Sequence, residues 1–171
     1  MTGPTKSDYL CLGDAELLAQ CEVDRYRGSG PGGQKRNKTE SAVRLRHLPT
    51  GLQVVATESR SQHENRRRGL RRLRERIALE VRRPLVLQGY APPPELLALL
   101  AASRSSVTRE THLRALQGLL DLFAALNGSV RDTAERLGVS TASLSRLLLA
   151  DPQVTATVNR LRAELGLHPL R

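Results

Sequence analysis

Tryptophan is missing from the 171 residues, and phenylalanine and methionine occur once each. Aromatics make up 2% of the chain, so any core has to be filled by leucine, valine and alanine. Cysteine occurs twice, at Cys11 and Cys21. No signal-peptide pattern precedes them and no metal spacing surrounds them, which argues against a disulfide framework or a zinc site. No apolar run approaches the roughly 20 residues of a membrane span. No Ser-His-Asp order or metal-ligand cluster is apparent either, so neither a self-contained hydrolase triad nor a metal or other cofactor is expected. The length suits one medium domain or two small ones. A soluble, cytoplasmic chain is the expectation.

What the sequence does have is positive charge, unevenly spread. The formal net charge is +10. Glu22 to Tyr90 holds 17 Lys and Arg against 7 Asp and Glu, leaving 10 of each sign elsewhere. The whole excess therefore sits on one stretch, the footprint of a polyanion partner and usually of nucleic acid. Inside that stretch lies Gly28-Ser29-Gly30-Pro31-Gly32-Gly33-Gln34. Four glycines admit close approach of another molecule to the main chain, and Pro31 fixes one dihedral among them. Lys35, Arg36 and Lys38 follow at once, carrying a Gln34 tip towards something anionic. By letters the glycines fit a dinucleotide fingerprint. The acidic residue about 20 positions on, after a second βαβ strand, does not follow, and no Gly-Lys-Ser/Thr ending makes a P-loop.

The surrounding pattern reads as α+β. Asp14 is placed to cap a short helix, Ala15 to Gln20. Cys21 to Arg27 alternates as a strand leading into the glycine loop. Asn37 to Glu40 reads as a helical turn. Ala42 to His47 alternates, with Val43 and Leu45 on one side and Arg44 and Arg46 on the other. Pro49-Thr50-Gly51 turns the chain, and Leu52, Val54 and Ala56 alternate again, giving a β-hairpin. A long basic helix, Gln62 to Arg82, covers the small sheet. Ser61 and Glu64 supply a capping box, and Leu70, Leu73, Ile77 and Val81 the buried stripe. Pro92-Pro93-Pro94 is a stiff spacer. Residues 1–20 are then a leader with a short helix, 21–91 the glycine-loop domain and 92–171 an all-α module. In that module Thr108 caps a helix whose buried face carries Leu113, Leu116, Leu120 and Phe123, and Asn127-Gly128 ends it. Ala134 to Leu148 resembles a helix-turn-helix. Its second helix, Thr141 to Ala150, offers only Arg146 as a cation, which favours a structural or docking module over a DNA reader.

The run Tyr26-Arg27-Gly28-Ser29-Gly30-Pro31-Gly32-Gly33-Gln34 resembles the GGQ motif of class I peptide chain release factors. The likeness continues through Asn37, Glu40 to Arg44, His47 to Gly51, Arg60 to His63 and Asn65, covering roughly Leu17 to Arg83. The resemblance implies entry of the loop into the peptidyl-transferase centre of the large ribosomal subunit. There the family triggers hydrolysis of the ester between nascent peptide and tRNA. By that likeness Gly32, Gly33 and Gln34 are the catalytic residues, with the Gln34 backbone N–H as the group aimed at developing negative charge. Glutamine is no general base at neutral pH. Its side chain instead shapes a pocket that water fits. Lys35, Arg36, Lys38, Arg44 and Arg46 are expected on RNA phosphates, and so are Arg66, Arg67 and Arg71 of the basic helix. Arg60, Gln62 and Asn65 either brace the loop or contact RNA. His47 and His63 read as hydrogen-bonded structural residues. The expected partners are rRNA of the large subunit and peptidyl-tRNA.

Two departures shape the expectation. Complete release factors carry further domains that read the stop codon, and 171 residues leave no room for them. That points to the stand-alone rescue proteins of the family. The basic tail of the bacterial rescue hydrolase is replaced here by a neutral helical module, and Lys35-Arg36 stands where many members have His-Val. The mitochondrial members that act on split large subunits are the closer analogy, and those need an RNA-binding protein partner.

Overall fold

The computed structural model describes residues 8–26, 41–101 and 108–171. The fold is mixed α+β, with one three-stranded antiparallel sheet and seven helices among the described residues. It divides into two compact units, Met1–Ile77 and Ala78–Arg171.

The first unit begins with α1 (Asp14–Ala19). Its N-cap is Gly13 rather than the expected Asp14. The Glu16 carboxylate reaches back to accept from the Gly13 N–H at 2.8 Å, so the acid three positions in does the capping. Strands β1 (Cys21–Tyr26), β2 (Ala42–His47) and β3 (Gln53–Ala56) pair in sequence order. The register sets Cys21 opposite His47 and Tyr26 opposite Ala42. On β2 and β3 the alternation comes out as read: Val43, Leu45, Val54 and Ala56 are buried, while Arg44 and Arg46 are exposed.

Helix α2 (Gln62–Glu80) lies over this sheet. Leu70, Leu73 and Ile77 are buried on it as the spacing predicts. Gly69, a poor helix former by propensity, has a packing reason. A Cβ there would sit 3.0 Å from Leu45 Cδ1, and Leu45 is fully buried. The missing side chain lets helix and strand approach. The helix stops two residues earlier than expected, and Val81 is only half-buried beyond its end. Pro84 disfavours a helical Arg83, and the Arg83 N–H donates instead to Asp121 at 3.0 Å. The expected capping box is half present. Glu64 N–H donates to Ser61 Oγ at 3.3 Å, but Ser61 N–H goes to Ser59 Oγ, whose hydroxyl donates to Glu64.

The second unit contains α3 (Pro94–Ala101), α4 (Arg109–Ala125), α5 (Val130–Leu137), α6 (Thr141–Leu149) and α7 (Pro152–Glu164). Each start after α3 is capped by a side chain, at Thr108 as the sequence suggests. Thr108, Ser129, Ser140 and Asp151 all accept from backbone N–H groups of their helices. Helix α4 buries the expected face, with Leu113, Leu116, Leu120 and Phe123, and more besides. Every residue from Ala115 to Phe123 is buried, so the other helices pack around it. Leu119, Leu120, Phe123, Leu144, Leu148 and Val158 form the centre of the core. Between α5 and α6 the chain turns at Gly138, whose φ of 67° a side chain would disfavour.

Candidate functional site

The glycine loop starts and ends at one edge of the sheet ladder. Tyr26 closes β1, Ala42 opens β2, and the two are paired. The described chain therefore stops and resumes at neighbouring points of the sheet. Gly32, Gly33, Gln34, Lys35, Arg36 and Lys38, with the helical turn expected at Asn37 to Glu40, lie outside the described residues.

Behind that point stands Asn65. It is fully buried, so of bracing the loop and touching RNA its position in the fold supports bracing. Its Nδ2 donates to the Ser41 carbonyl at 2.7 Å and to the Ser59 carbonyl at 2.8 Å, and its Oδ1 accepts from Ser59 N–H at 2.9 Å. Gln62 beside it is half-buried, and Arg60 is exposed.

The basic residues sort into three groups. Arg44 and Arg46 face solvent but lie directly across the ladder from Asp24 and Glu22. Arg44 Nε and Nη2 donate to Asp24 Oδ2 at 2.9 and 2.7 Å, and Arg46 comes within 3.7 Å of Glu22. This face carries matched charges rather than bare cations. Such solvent-exposed pairs are worth only about 0–1 kcal/mol, so a phosphate can compete for them. Four more arginines are internal staples. Arg68 pairs with Glu64, and Arg72 bonds the Val55 carbonyl and Glu58. Arg74 holds the Leu12 carbonyl and Asp14, both at 2.8 Å, and Arg76 holds the Gln53 carbonyl at 2.7 Å. The hydrogen bond from Arg72 keeps the Glu58 carboxyl below the usual carboxylate range. Arg60, Arg67 and Arg71 form the third group: exposed, with no acid at ion-pair distance among the described residues. Half-buried Arg66 joins them, its Nε shielded from water and unbonded.

The histidine at the other end of β2 has a structural place. His47 is buried against the edge of Tyr9, 4.8 Å between ring centroids. Its Nε2–H donates to Gln20 Oε1 at 3.2 Å, and its Nδ1 accepts from Thr50 Oγ1 at 2.8 Å. A neutral ring satisfies both contacts, and burial lowers its pKa. The unfolded chain titrates near the ordinary value of about 6.5. Protonation below that pH thus favours the unfolded chain, and stability conferred by neutral His47 is present above it and lost as pH falls towards the folded-state value. Thermal melts should show a midpoint dropping between neutral and mildly acid pH. His47→Gln should flatten that part of the curve, and an unchanged slope in the variant would remove His47 as its cause.

Residues 18–85 match the family described as the RF-1 domain. This chain is release-factor-like over that stretch. Peptide chain release factor 1 of Burkholderia multivorans is 51% identical over 67 residues, 39% of this chain and 19% of that protein. Peptide chain release factor 2 of Paramagnetospirillum magneticum is 52% identical over 59 residues, 34% of this chain and 16% of that protein. Peptide chain release factor 1 of Acidiphilium cryptum is 52% identical over 64 residues, 37% of this chain and 18% of that protein. The chain thus spans less than a fifth of the length of these relatives. The release-factor-like stretch takes in all three strands, α2 and the GGQ sequence, and α3 to α7 lie beyond it. No helix among the described residues is long and apolar enough to cross a membrane.

Proposed function

We propose that this protein hydrolyses the peptidyl-tRNA ester at the large ribosomal subunit without reading a codon, freeing the nascent peptide from stalled ribosomes or split large subunits. The observation that carries the reading is the GGQ sequence set between paired strand ends of a release-factor-like domain. The chemistry asked of this chain is small. Gly32 and Gly33 shape the main chain, the Gln34 N–H donates to the developing oxyanion, and the Gln34 side chain admits water. The remaining groups at the ester belong to RNA. Preorganised donors in a dry site are worth a few kcal/mol. The test is peptide release from ribosomes with a stop codon, a sense codon or no codon in the decoding site. Activity should be similar in all three and lost in Gly33→Ala. Release confined to stop codons would end the codon-independent claim, and equal release by wild type, Gly33→Ala and Gln34→Ala would end the catalytic one.

The sorting of the arginines supports a narrower RNA surface than charge alone suggests. Arg60, Arg67 and Arg71, with Arg66 beside them, form the part of α2 and its approach that remains open to phosphate. Removing Arg60, Arg67 and Arg71 together should weaken binding to large subunits and flatten its salt dependence, by about 0.7–0.9 in slope for each phosphate no longer neutralised. Removing Arg72, Arg74 and Arg76 should lower the unfolding midpoint instead. Affinity measured across salt concentrations, alongside denaturant titrations, separates the two sets. Equal effects of both triples on affinity would dissolve the distinction. A second reading, a non-catalytic rRNA or tRNA clamp, predicts that charge removal abolishes function while neither Gly33→Ala nor Gln34→Ala does.

A further inference from the structure

We infer that Asn65 is a positioning residue for the release reaction, locking the return strand of the GGQ loop to the first turn of α2. The inference rests on the hydrolase reading above. Ser41 is the residue through which the stretch 27–40 re-enters the sheet, one position before β2. Its carbonyl takes the shortest of the three Asn65 bonds, 2.7 Å. The other two, at 2.8 and 2.9 Å, grip both the carbonyl and the N–H of Ser59 in the connection from β3 to α2. One amide thus uses both donors and its acceptor on two chain segments, and it is buried where no water can replace them. Ser59 is itself tied to α2, its hydroxyl donating to Glu64 while accepting from Ser61 N–H. The loop base, the connection and the helix start form one hydrogen-bonded block. A loop that must present a main-chain N–H to a reacting ester gains from a base that does not move, because misplacement of about 1 Å can cost 10²-fold in rate. No other residue type offers two coplanar donors and one acceptor at this reach without a charge.

The experiment is single-turnover peptide release at saturating protein, with affinity for the ribosomal complex measured separately. Asn65→Ala should lower the maximal rate by about 10- to 100-fold and leave affinity within about twofold. Asn65→Asp keeps the size and the acceptor for Ser59 N–H but loses both donors. It serves where the alanine variant folds poorly, and the same rate loss is expected of it. His47→Gln breaks a buried hydrogen-bonded cluster at the opposite end of β2 and should leave the maximal rate unchanged. Amide exchange at Ser59 and at the start of β2 gives a readout free of activity, with protection lost there in both Asn65 variants and kept in the rest of the sheet. Wild-type release by both Asn65 variants, or equal rate loss in His47→Gln, would overturn the positioning role. If Gly33→Ala and Gln34→Ala also release at the wild-type rate, the hydrolase reading itself has failed. The exchange data then decide whether the lock exists.

Discussion

Gln34→Pro is expected to reduce peptide release by about 10²–10³, the usual loss for one missing oxyanion donor, while Gln34→Ala keeps most of it. The two substitutions remove different groups. Alanine deletes the carboxamide and leaves the backbone N–H. Proline deletes the N–H, the group proposed to meet the developing negative charge. Because proline also restricts the residue before it, Gly33→Ala is the necessary companion, reporting how much of the loss comes from conformation alone. The carboxamide has its own signature. If it limits the pocket to water, Gln34→Ala should release peptide to a bulkier nucleophile such as hydroxylamine more readily than wild type does. The readout is the rate of peptide release, and separately the ratio of hydroxamate to free acid. Equal loss in Gln34→Ala and Gln34→Pro would move the chemistry from the main chain to the side chain. Affinity for the ribosomal complex should stay within about twofold in all of these variants, since the cations proposed to bind RNA are untouched.

Much of the fold was legible because its signals are local. Alternation marked β2 and β3, turn residues marked the hairpin, and Thr108 marked a helix start. What was not legible lies where a distant residue decides the outcome. For the exposed arginines of β2, nothing local says that Glu22 and Asp24 stand opposite them. The alternation of those two acids in β1 was visible, but their pairing depends on register. Helix α4 has a leucine stripe on the face expected to be buried, and only the long-range bonds linking Val81, Arg82 and Arg83 to Gln117 and Asp121 show its polar side to be buried too. Of the site, the motif was readable by its letters and its place between strands, whereas Asn65 was left between two roles. A single asparagine carries no periodicity, and its three partners lie 6 and 24 residues away.

The same long-range logic gives the largest expected effect on stability, at Asp121. This carboxylate lies in the middle of α4 with its side chain only 2% exposed. It accepts from Arg83 Nε at 2.8 Å, from Arg83 N–H at 3.0 Å and from Arg82 Nη1 at 3.2 Å. Gln117, one turn earlier and also buried, donates to the Val81 carbonyl and accepts from Arg82. The segment after α2 is thereby fastened to α4 through polar bonds inside the second unit. Two of the 17 basic residues of the cationic stretch are also drawn away from any RNA surface. Burial pulls the Arg82 guanidinium down to about 10, even though Asp121 opposes the shift, so it remains charged at neutral pH. Asp121→Ala leaves that charge and the Arg83 N–H without their partner. Breaking a buried pair from one side costs about 3–5 kcal/mol. The lower end is expected here, since Arg83 is partly exposed and can turn to water. Denaturant unfolding of the full chain, followed by amide exchange along α4, measures the loss. Removing the charges together, as Asp121→Leu with Arg82→Leu and Arg83→Met, should recover most of it, because the apolar replacements leave no buried charge unpaired and only the backbone N–H of residue 83 without its acceptor. An Asp121→Ala protein within about 0.5 kcal/mol of wild type, on the scale of ordinary surface substitutions, would mean that the arginines find other partners and that α4 is held by its leucines alone.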